Sequence, residues 1–233
     1  MQEMAVTQFR LMVAIDFSIS NQWQKLHQLA DPARNGYLQV LGGLAGIVRR
    51  YVKNGYIPAF RFGCKQSEDY DCVPLCAPQN PNPNFEGFDA LMAGYAEAVQ
   101  SVEMYGPTQL TPVFQKAVQV SAETGHQELL VCVILTDGDV EDIKLDRETL
   151  VMASQYPICF VGVGIGNGDF KDLETFDDLK LRKFDNFQFV HYDEVAATLR
   201  NGRFERPDLV LALAMFNEIP AAVKKMRSQG ILK

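Results

Sequence analysis

The sequence lacks two features that would assign it to a membrane or to nucleic acid. Its longest apolar candidate, residues 209–216, is much shorter than the roughly 18–20 residues that a membrane-spanning helix needs. It has no excess of positive charge either, since 22 Lys and Arg oppose 29 Asp and Glu, giving a net charge of −7. Adjacent basic residues are limited to the three pairs Arg49-Arg50, Arg182-Lys183 and Lys224-Lys225. We therefore expect no membrane-spanning segment and no nucleic-acid partner.

Cysteine and histidine are too few and too scattered to predict a zinc site or a catalytic triad. Cys132 and Cys159 lie inside apolar runs and are expected in the core. Cys64, Cys72 and Cys76 share one loop, but they form no C-x-x-C pair and have no fourth ligand nearby. Free thiols are favoured over zinc there. The three histidines show no ligand spacing and are His27, His126 and His191.

The length and composition are typical of a soluble globular protein. The chain has 233 residues, of which 47% are hydrophobic and 22% charged. No repeat, low-complexity tract or linker indicates a second domain, so we predict a single domain over residues 1–233. The start, Met1-Gln2-Glu3-Met4, is acidic and leads directly into a predicted strand. We see no signal-peptide pattern in it and expect a cytoplasmic location.

Short apolar runs alternate with longer helical patterns along the chain. The predicted strands are uniformly apolar, as in Leu-Leu-Val-Cys-Val-Ile-Leu, which indicates burial on both faces and hence a mainly parallel sheet flanked by helices. The predicted strands are residues 9–15, 58–62, 129–135, 158–163 and 187–191. The predicted helices are residues 37–52, 85–102, 110–124, 147–155, 193–200 and 207–227. Residues 21–35 and 64–84 are expected to be irregular, with a short edge strand near residues 72–76.

Oxygen-bearing residues stand at the ends of two predicted strands and before one predicted helix. Asp16, Ser18 and Ser20 follow the first strand, Thr108 follows a Gly-Pro turn, and Asp137 ends a later strand. Open α/β sheets bind ligands at the carboxyl ends of their strands. Two carboxylates and three hydroxyls are hard ligands suited to Mg²⁺ or Mn²⁺, and they leave one of six positions open. We predict that an Asp or Glu of a partner protein fills that position.

Other interpretations of these residues are open at this point. Either aspartate alone would be expected to cap the helix after its strand, whereas the three segments together favour a metal site. A Mg²⁺-dependent phosphotransferase could use Asp16 as nucleophile, but Ser18 stands where such enzymes need a second Asp. Residues 162–168 are rich in glycine but lack the G-x-G-x-x-G spacing and its place after the first strand. A structural role with a vestigial metal site is a further alternative.

The pattern D-x-S-x-S, then Thr, then Asp resembles the metal-ion-dependent adhesion site of von Willebrand factor A (vWA) domains. The wider chain resembles the A domain shared by copines and the related plant RING-domain ubiquitin ligases. The segments that carry this resemblance are residues 14–21, 26–27, 57–63, 82–84, 105–108, 156–158, 161–164, 176–178, 184–190 and 218–220. Ser18 stands where the family often has Thr, and both residues offer a hydroxyl.

The resemblance implies a doubly wound, mostly parallel sheet with one short antiparallel edge strand and helices on both faces. It implies that Asp16, Ser18, Ser20, Thr108 and Asp137 contact a Mg²⁺ or Mn²⁺ ion. Copines also carry two C2 domains that bind phospholipid, so we expect no direct membrane binding from this module. The ligases carry a RING, whereas no cysteine follows Cys159 here. We therefore expect a non-enzymatic, cation-dependent protein-binding adaptor, or a subunit of a ubiquitin-ligase assembly.

Overall fold

The computed structural model describes residues 8–68, 70–138, 140–202 and 207–233. Its strands are β1 (Arg10–Asp16), β2 (Tyr56–Phe62), β3 (Val73–Pro74), β4 (Asn84–Glu86), β5 (Leu130–Thr136), β6 (Ile158–Gly164) and β7 (Phe187–His191). They form one seven-stranded sheet in the order β3-β2-β1-β5-β6-β7, with β4 also beside β2. The pairs β1–β2, β1–β5, β5–β6 and β6–β7 are parallel. The mostly parallel sheet is confirmed.

Helices cover both faces of this sheet. They are α1 (Ile19–Gln24), α2 (Gly36–Val48), α3 (Gly87–Ser101), α4 (Thr111–Ala122), α5 (Ile143–Ala153), α6 (Lys171–Asp177), α7 (Tyr192–Asn201), α8 (Pro207–Phe216) and α9 (Ile219–Ser228). Apolar residues of α2, α3, α7, α8 and α9 pack in one core cluster, and those of α4, α5 and α6 in another. The doubly wound arrangement is confirmed.

Alternation along the central strands explains why the apolar runs are continuous. In β1, Leu11, Val13 and Ile15 belong to the first core cluster, whereas Met12 and Ala14 belong to the second. Successive side chains of a strand point to opposite faces, so a strand covered on both sides must be apolar at every position. The sheet is therefore buried on both faces, and polar chemistry is confined to its edges and ends.

The structure refines the sequence prediction in four places. The predicted edge strand near residues 72–76 is β3, which is antiparallel to β2, and β4 adds a second short antiparallel segment beside β2. The predicted final helix, residues 207–227, is two helices separated at Asn217 and Glu218. Two short helices, α1 and α6, lie where no helix was predicted. Six or seven residues are too few for a periodic apolar pattern to stand out.

A buried arginine holds the loop that contains three cysteines. Arg61 is 3% exposed, and its guanidinium donates to Cys64 Sγ at 3.3 Å and to the Ala77 carbonyl at 2.7 Å. All five cysteines are buried and free. Within the described ranges, Cys64, Cys72 and Cys76 do not form a cluster that could share a metal. The preference for free thiols over zinc stays a prediction.

Two expectations concern the membrane and the amino terminus. In the parts of the chain that the structure describes, no helix combines the length and apolarity needed to cross a bilayer. The segment Met1-Gln2-Glu3-Met4, on which the expectation of no signal peptide depends, lies outside the described residues.

Candidate metal centre

The five predicted ligands come together at the carboxyl ends of β1 and β5. These strands are parallel neighbours, so the turn after Asp16 and the turn after Thr136 meet at one edge of the sheet. Thr108 reaches the same place because the segment before α4 runs beside the turn after β1. There, Ser18 and Tyr105 form an isolated parallel bridge, and the Ile19 amide donates to the Gly106 carbonyl at 3.3 Å.

The side-chain oxygens of the five residues form a continuous series of close contacts. Thr108 Oγ1 lies 3.0 Å from Asp16 Oδ2 and 3.1 Å from Ser18 Oγ. Ser18 Oγ lies 3.1 Å from Ser20 Oγ, which donates to Asp137 Oδ1 at 3.0 Å. The structure thus brings together all five residues that the motif singled out. Their role as metal ligands stays a prediction.

The spacing of these oxygens matches the coordination shell of a small divalent cation. Oxygens on neighbouring corners of an octahedron with metal–oxygen distances of about 2.0–2.1 Å are about 2.9 Å apart. The four contacts between successive oxygens are 3.0, 3.1, 3.1 and 3.0 Å. The donor set contains only carboxylate and hydroxyl oxygens, which suit Mg²⁺ and Mn²⁺. The residues present therefore fit the ion that the vWA fold implies.

Asp16 is a buried carboxylate that no basic side chain neutralises. It is 0% exposed, and none of the ion pairs formed by the described residues includes it. Burial raises the pKa of Asp16, and hydrogen bonds from Thr136, Ser18 and Thr108 lower it in part. A bound cation would favour the ionised form of this carboxyl group.

Neither aspartate acts as the amino-terminal cap of the following helix. The residue at the cap position of α1 is Ser18, and Asp16 Oδ1 instead accepts a hydrogen bond from the Ser18 amide at 2.8 Å. The cap of α5 is Asp142, which accepts from the Leu145 amide. The capping interpretation is therefore wrong for Asp16 and Asp137.

Glycines allow the backbone to approach this edge closely. Gly63 follows β2 with φ of +68°, and a Cβ atom there would lie 2.9 Å from the Ser18 nitrogen and 3.1 Å from Asp16 Oδ1. A Cβ on Gly168 would lie 1.7 Å from the Asp137 carbonyl oxygen. Part of the glycine-rich segment after β6 therefore packs against the Asp137 turn.

Two polar residues at this edge have contacts that the motif did not indicate. Thr136, the last residue of β5, donates to Asp16 Oδ2 at 2.6 Å. Gln24 donates to Asp137 Oδ2 at 3.0 Å and accepts from the Asn167 amide at 2.8 Å. Gln24 lies one helical turn after Ser20, so the i, i+4 spacing was the signal that could have found it. Thr136 directly precedes Asp137, but nothing in the local sequence predicts that its hydroxyl donates to the Asp16 carboxylate instead.

The fold resembles solved vWA domains. Manganese-loaded TRAP protein of Plasmodium vivax superposes with a TM-score of 0.55 at 16% identity, covering 83% of this chain and 72% of that one. A von Willebrand factor type A protein from Catenulispora acidiphila gives 0.53 at 15% identity, covering 90% and 43%. Mussel proximal thread matrix protein 1 with a zinc-occupied MIDAS motif gives 0.51 at 14% identity, covering 84% and 47%. The protein thus has the vWA fold.

The chain belongs to the copine family, whose model matches residues 25–233. Copine family protein 2 of Caenorhabditis elegans is 29% identical over 232 residues, which cover 96% of this chain and 3% of that protein. The Arabidopsis thaliana E3 ubiquitin-protein ligase RGLG5 is 29% identical, covering 95% of this chain and 54% of the ligase. RGLG1 of the same plant is 30% identical, covering 92% and 47%. The chain therefore spans about half or less of the length of these relatives.

Proposed function

We propose that this chain is a single vWA-type domain that binds a protein partner through a divalent cation. The observation that carries the proposal is the series of five side-chain oxygens in successive contact at 3.0–3.1 Å that begins at buried Asp16. Asp16, Ser18, Ser20, Thr108 and Asp137 would hold the ion, directly or through water.

The proposed ion is Mg²⁺ or Mn²⁺. An oxygen-only donor set favours these hard cations over zinc, which takes sulfur and nitrogen ligands more readily. A manganese-loaded relative in fold and another with a zinc-occupied MIDAS motif support a divalent ion at this position. When bound, the ion would supply a positive charge with one coordination position open to a ligand.

The proposed ligand is an acidic side chain of another protein. Two exposed aromatic residues adjoin the site and would add apolar contact area around such a side chain. Trp23 is 74% exposed and lies in α1 between Ser20 and Gln24, both of which bond to Asp137. Tyr105 is 51% exposed and pairs through its backbone with Ser18. A site for a small free anion would gain little from two exposed rings.

We propose a role as a cytoplasmic adaptor, not as an enzyme. The phosphotransferase alternative gains no support, because no lysine or arginine of the described residues pairs with Asp16. Relatives named E3 ubiquitin-protein ligases are matched over about half their length. They support the second candidate, in which the domain is the partner-binding subunit of a ubiquitin-ligase assembly.

The first experiment measures the metal site itself. Calorimetry with Mn²⁺ and with Mg²⁺ should show one site in the natural protein and no binding in the Asp16→Ala variant. The Asp185→Ala variant is the control, because Asp185 is an exposed carboxylate outside the site. Circular dichroism should show that both variants keep the fold. Equal metal affinity of Asp16→Ala and the natural protein would contradict the site assignment.

The second experiment tests the metal-bridged partner. The immobilised protein is incubated with extract of its own cells in Mg²⁺ or in EDTA, with Asp16→Ala in parallel. A partner should be retained in Mg²⁺ and lost in EDTA and in Asp16→Ala. Identical proteins under all three conditions would show that recognition does not use the metal.

A further inference from the structure

A layer of buried polar side chains lies directly beneath the proposed metal site. Asn21 and Asn35 are 0% exposed, His27 is 5% exposed, and Tyr37 and Tyr95 are 0% exposed. Asn21 lies in α1, Tyr37 in α2 and Tyr95 in α3. A buried polar group destabilises the fold unless it forms a hydrogen bond. The hydrogen-bond partners in this layer therefore indicate what the layer holds in place.

One branch of the layer ends on the backbone of Asp16. His27 Nε2 lies 2.9 Å from the Asp16 carbonyl oxygen, which can only accept, so Nε2 carries the proton and Nδ1 is bare. The Tyr95 hydroxyl, 2.7 Å away, therefore donates to Nδ1. The Tyr95 oxygen in turn accepts from Asn35 Nδ2 at 3.1 Å, and Asn35 Oδ1 accepts from the Leu38 amide in the first turn of α2. The Tyr95 hydroxyl also lies 3.2 Å from Asn35 Oδ1, and its donation to Nδ1 leaves that amide oxygen to the Leu38 amide.

The other branch ends on the hydroxyl of Ser18. The Tyr37 hydroxyl donates to Asn21 Oδ1 at 2.5 Å, which turns the amide nitrogen of Asn21 toward the site. Asn21 Nδ2 then donates to Ser18 Oγ at 3.1 Å. This bond occupies one lone pair of the Ser18 oxygen and fixes the direction of the other.

The two branches are joined by stacked rings. The His27 ring stacks on Phe17 at 4.5 Å and on Tyr37 at 4.2 Å between ring centroids. Both ring nitrogens of His27 are engaged, Nε2 with the Asp16 carbonyl and Nδ1 with the Tyr95 hydroxyl, and these two contacts hold the assigned tautomer. Asn21 and His27 touch the proposed ligand residues Ser18 and Asp16 directly. Tyr37 and Tyr95 act one bond further away, through Asn21 and His27.

We propose that Asn21, His27, Tyr37 and Tyr95 are positioning residues, which hold Asp16 and Ser18 in the geometry that binds the cation. This inference rests on the proposed metal site. It makes the affinity for the ion depend on the seating of α2 and α3, because Tyr37 and Tyr95 belong to those helices. Partners of metal ligands commonly have this role, and their loss weakens metal binding about 10–100-fold.

The test removes single hydroxyl groups and leaves the rings in place. In Tyr37→Phe and Tyr95→Phe, calorimetry with Mn²⁺ should show affinity at least about ten-fold weaker than in the natural protein. The matched control is Tyr192→Phe, since Tyr192 is also a buried tyrosine and its hydroxyl donates to Gln39, away from the site. All three variants should lose a similar amount of melting temperature, but Tyr192→Phe should keep the natural Mn²⁺ affinity.

A second pair of variants separates the two ring nitrogens of His27. The amide nitrogen of Gln in His27→Gln can reach the place of Nε2 and donate to the Asp16 carbonyl, whereas the amide in His27→Asn reaches only the place of Nδ1. His27→Gln should therefore bind Mn²⁺ more tightly than His27→Asn. In the metal-free natural protein, nitrogen NMR should show His27 in the Nε2–H form.

The outcomes separate this inference from the proposed function. If the natural protein binds no Mn²⁺, the metal site itself is wrong and the inference fails with it. If the natural protein binds Mn²⁺ and Tyr37→Phe and Tyr95→Phe bind it as tightly as Tyr192→Phe, only the positioning role is overturned. An Nδ1–H tautomer of His27 would overturn the branch through Tyr95 even without metal measurements.

Discussion

Two groups of acidic residues in this protein lie close together and partly out of solvent, but their carboxylates have different neighbours. The proposed metal site contains Asp16 and Asp137, whose neighbours are hydroxyl and amide groups. The acidic cluster, defined as Asp177, Asp185 and Glu218, brings three carboxylates within 4.8 Å of one another. In the cluster, the side chain of Arg182 is 6% exposed and lies 2.7 Å from Asp185.

The difference shows what distinguishes an ion site from a salt-bridge cluster. The cluster holds its own cation, because Arg182 also donates to the Asp177 and Leu179 carbonyls at 2.6 and 2.8 Å. A guanidinium fixed in this way places a positive charge at a defined position beside the carboxylates. The groups that donate to the Asp16 carboxylate are the hydroxyls of Thr108 and Thr136 and the Ser18 amide, all of them neutral. Close carboxylates beside an arginine are therefore weaker evidence of a metal than a buried carboxylate such as Asp16, to which neutral groups donate.

The largest expected effect comes from removing the cation of the acidic cluster. Arg182→Met should lower the free energy of unfolding by about 3 kcal/mol, because it leaves the Asp177 and Leu179 carbonyls without their donor and the three carboxylates without the nearby positive charge. Urea denaturation measures this. The matched control is Arg34→Met, because Arg34 is 82% exposed and its pair with Asp31 should contribute less than about 1 kcal/mol. Loss of Mn²⁺ binding in Arg182→Met would show that the two regions are not independent.

Two glycine substitutions should distinguish the effect of backbone strain on stability from the effect of a steric clash on metal binding. Gly63→Ala and Gly55→Ala both place a side chain at positive φ, +68° and +69°, but only at Gly63 would the Cβ meet Ser18 and Asp16. Each should cost about 1 kcal/mol of unfolding free energy, with up to about 1 kcal/mol more at Gly63. Calorimetry should show weaker Mn²⁺ binding for Gly63→Ala alone. Equal affinities in the two variants would mean that the approach of Gly63 does not shape the site.

The smallest effect is a pH dependence in the acidic cluster. Burial, followed by the charges of Glu218 and Asp185, raises the pKa of Asp177 to about 6. The folded protein therefore keeps this proton to higher pH than the unfolded chain, so the contribution of Asp177 to stability is fully present below about pH 4 and is lost as pH rises through 6. The loss should be about 1 kcal/mol, since part of the carboxyl group faces solvent.

Asp177→Asn should weaken this dependence and leave the part that Asp146 contributes, because burial raises the pKa of Asp146 to about 6 as well. Urea denaturation of the natural protein and the variant at about pH 5 and about pH 7 measures the difference. If the natural protein and Asp177→Asn lose stability equally between these two pH values, another group is responsible for the decline.

The sequence predicted much of the fold because its strands are apolar at every position. The runs that contain Val13 and Val133 could only be buried strands of a covered parallel sheet. The final helix was predicted as one piece because α8 and α9 both contribute apolar residues to the same core, although Pro220 in the first turn of α9 was the signal that could have divided it. The short helices α1 and α6 escaped detection, since a segment of less than two turns has too few residues for a period.

By itself, the sequence determined which side chains could bind a hard cation and that they stand beside strand ends. It did so because ligand chemistry depends on residue type, and the spacing in D-x-S-x-S depends only on local turns. Only the tertiary structure decided which residues surround these side chains. Thr136 donates to the Asp16 carboxylate, Gln24 donates to the Asp137 carboxylate, and His27 contacts the Asp16 carbonyl. These contacts join residues far apart in the chain, and hydrogen-bond direction in a buried layer is set by partners that no local pattern records.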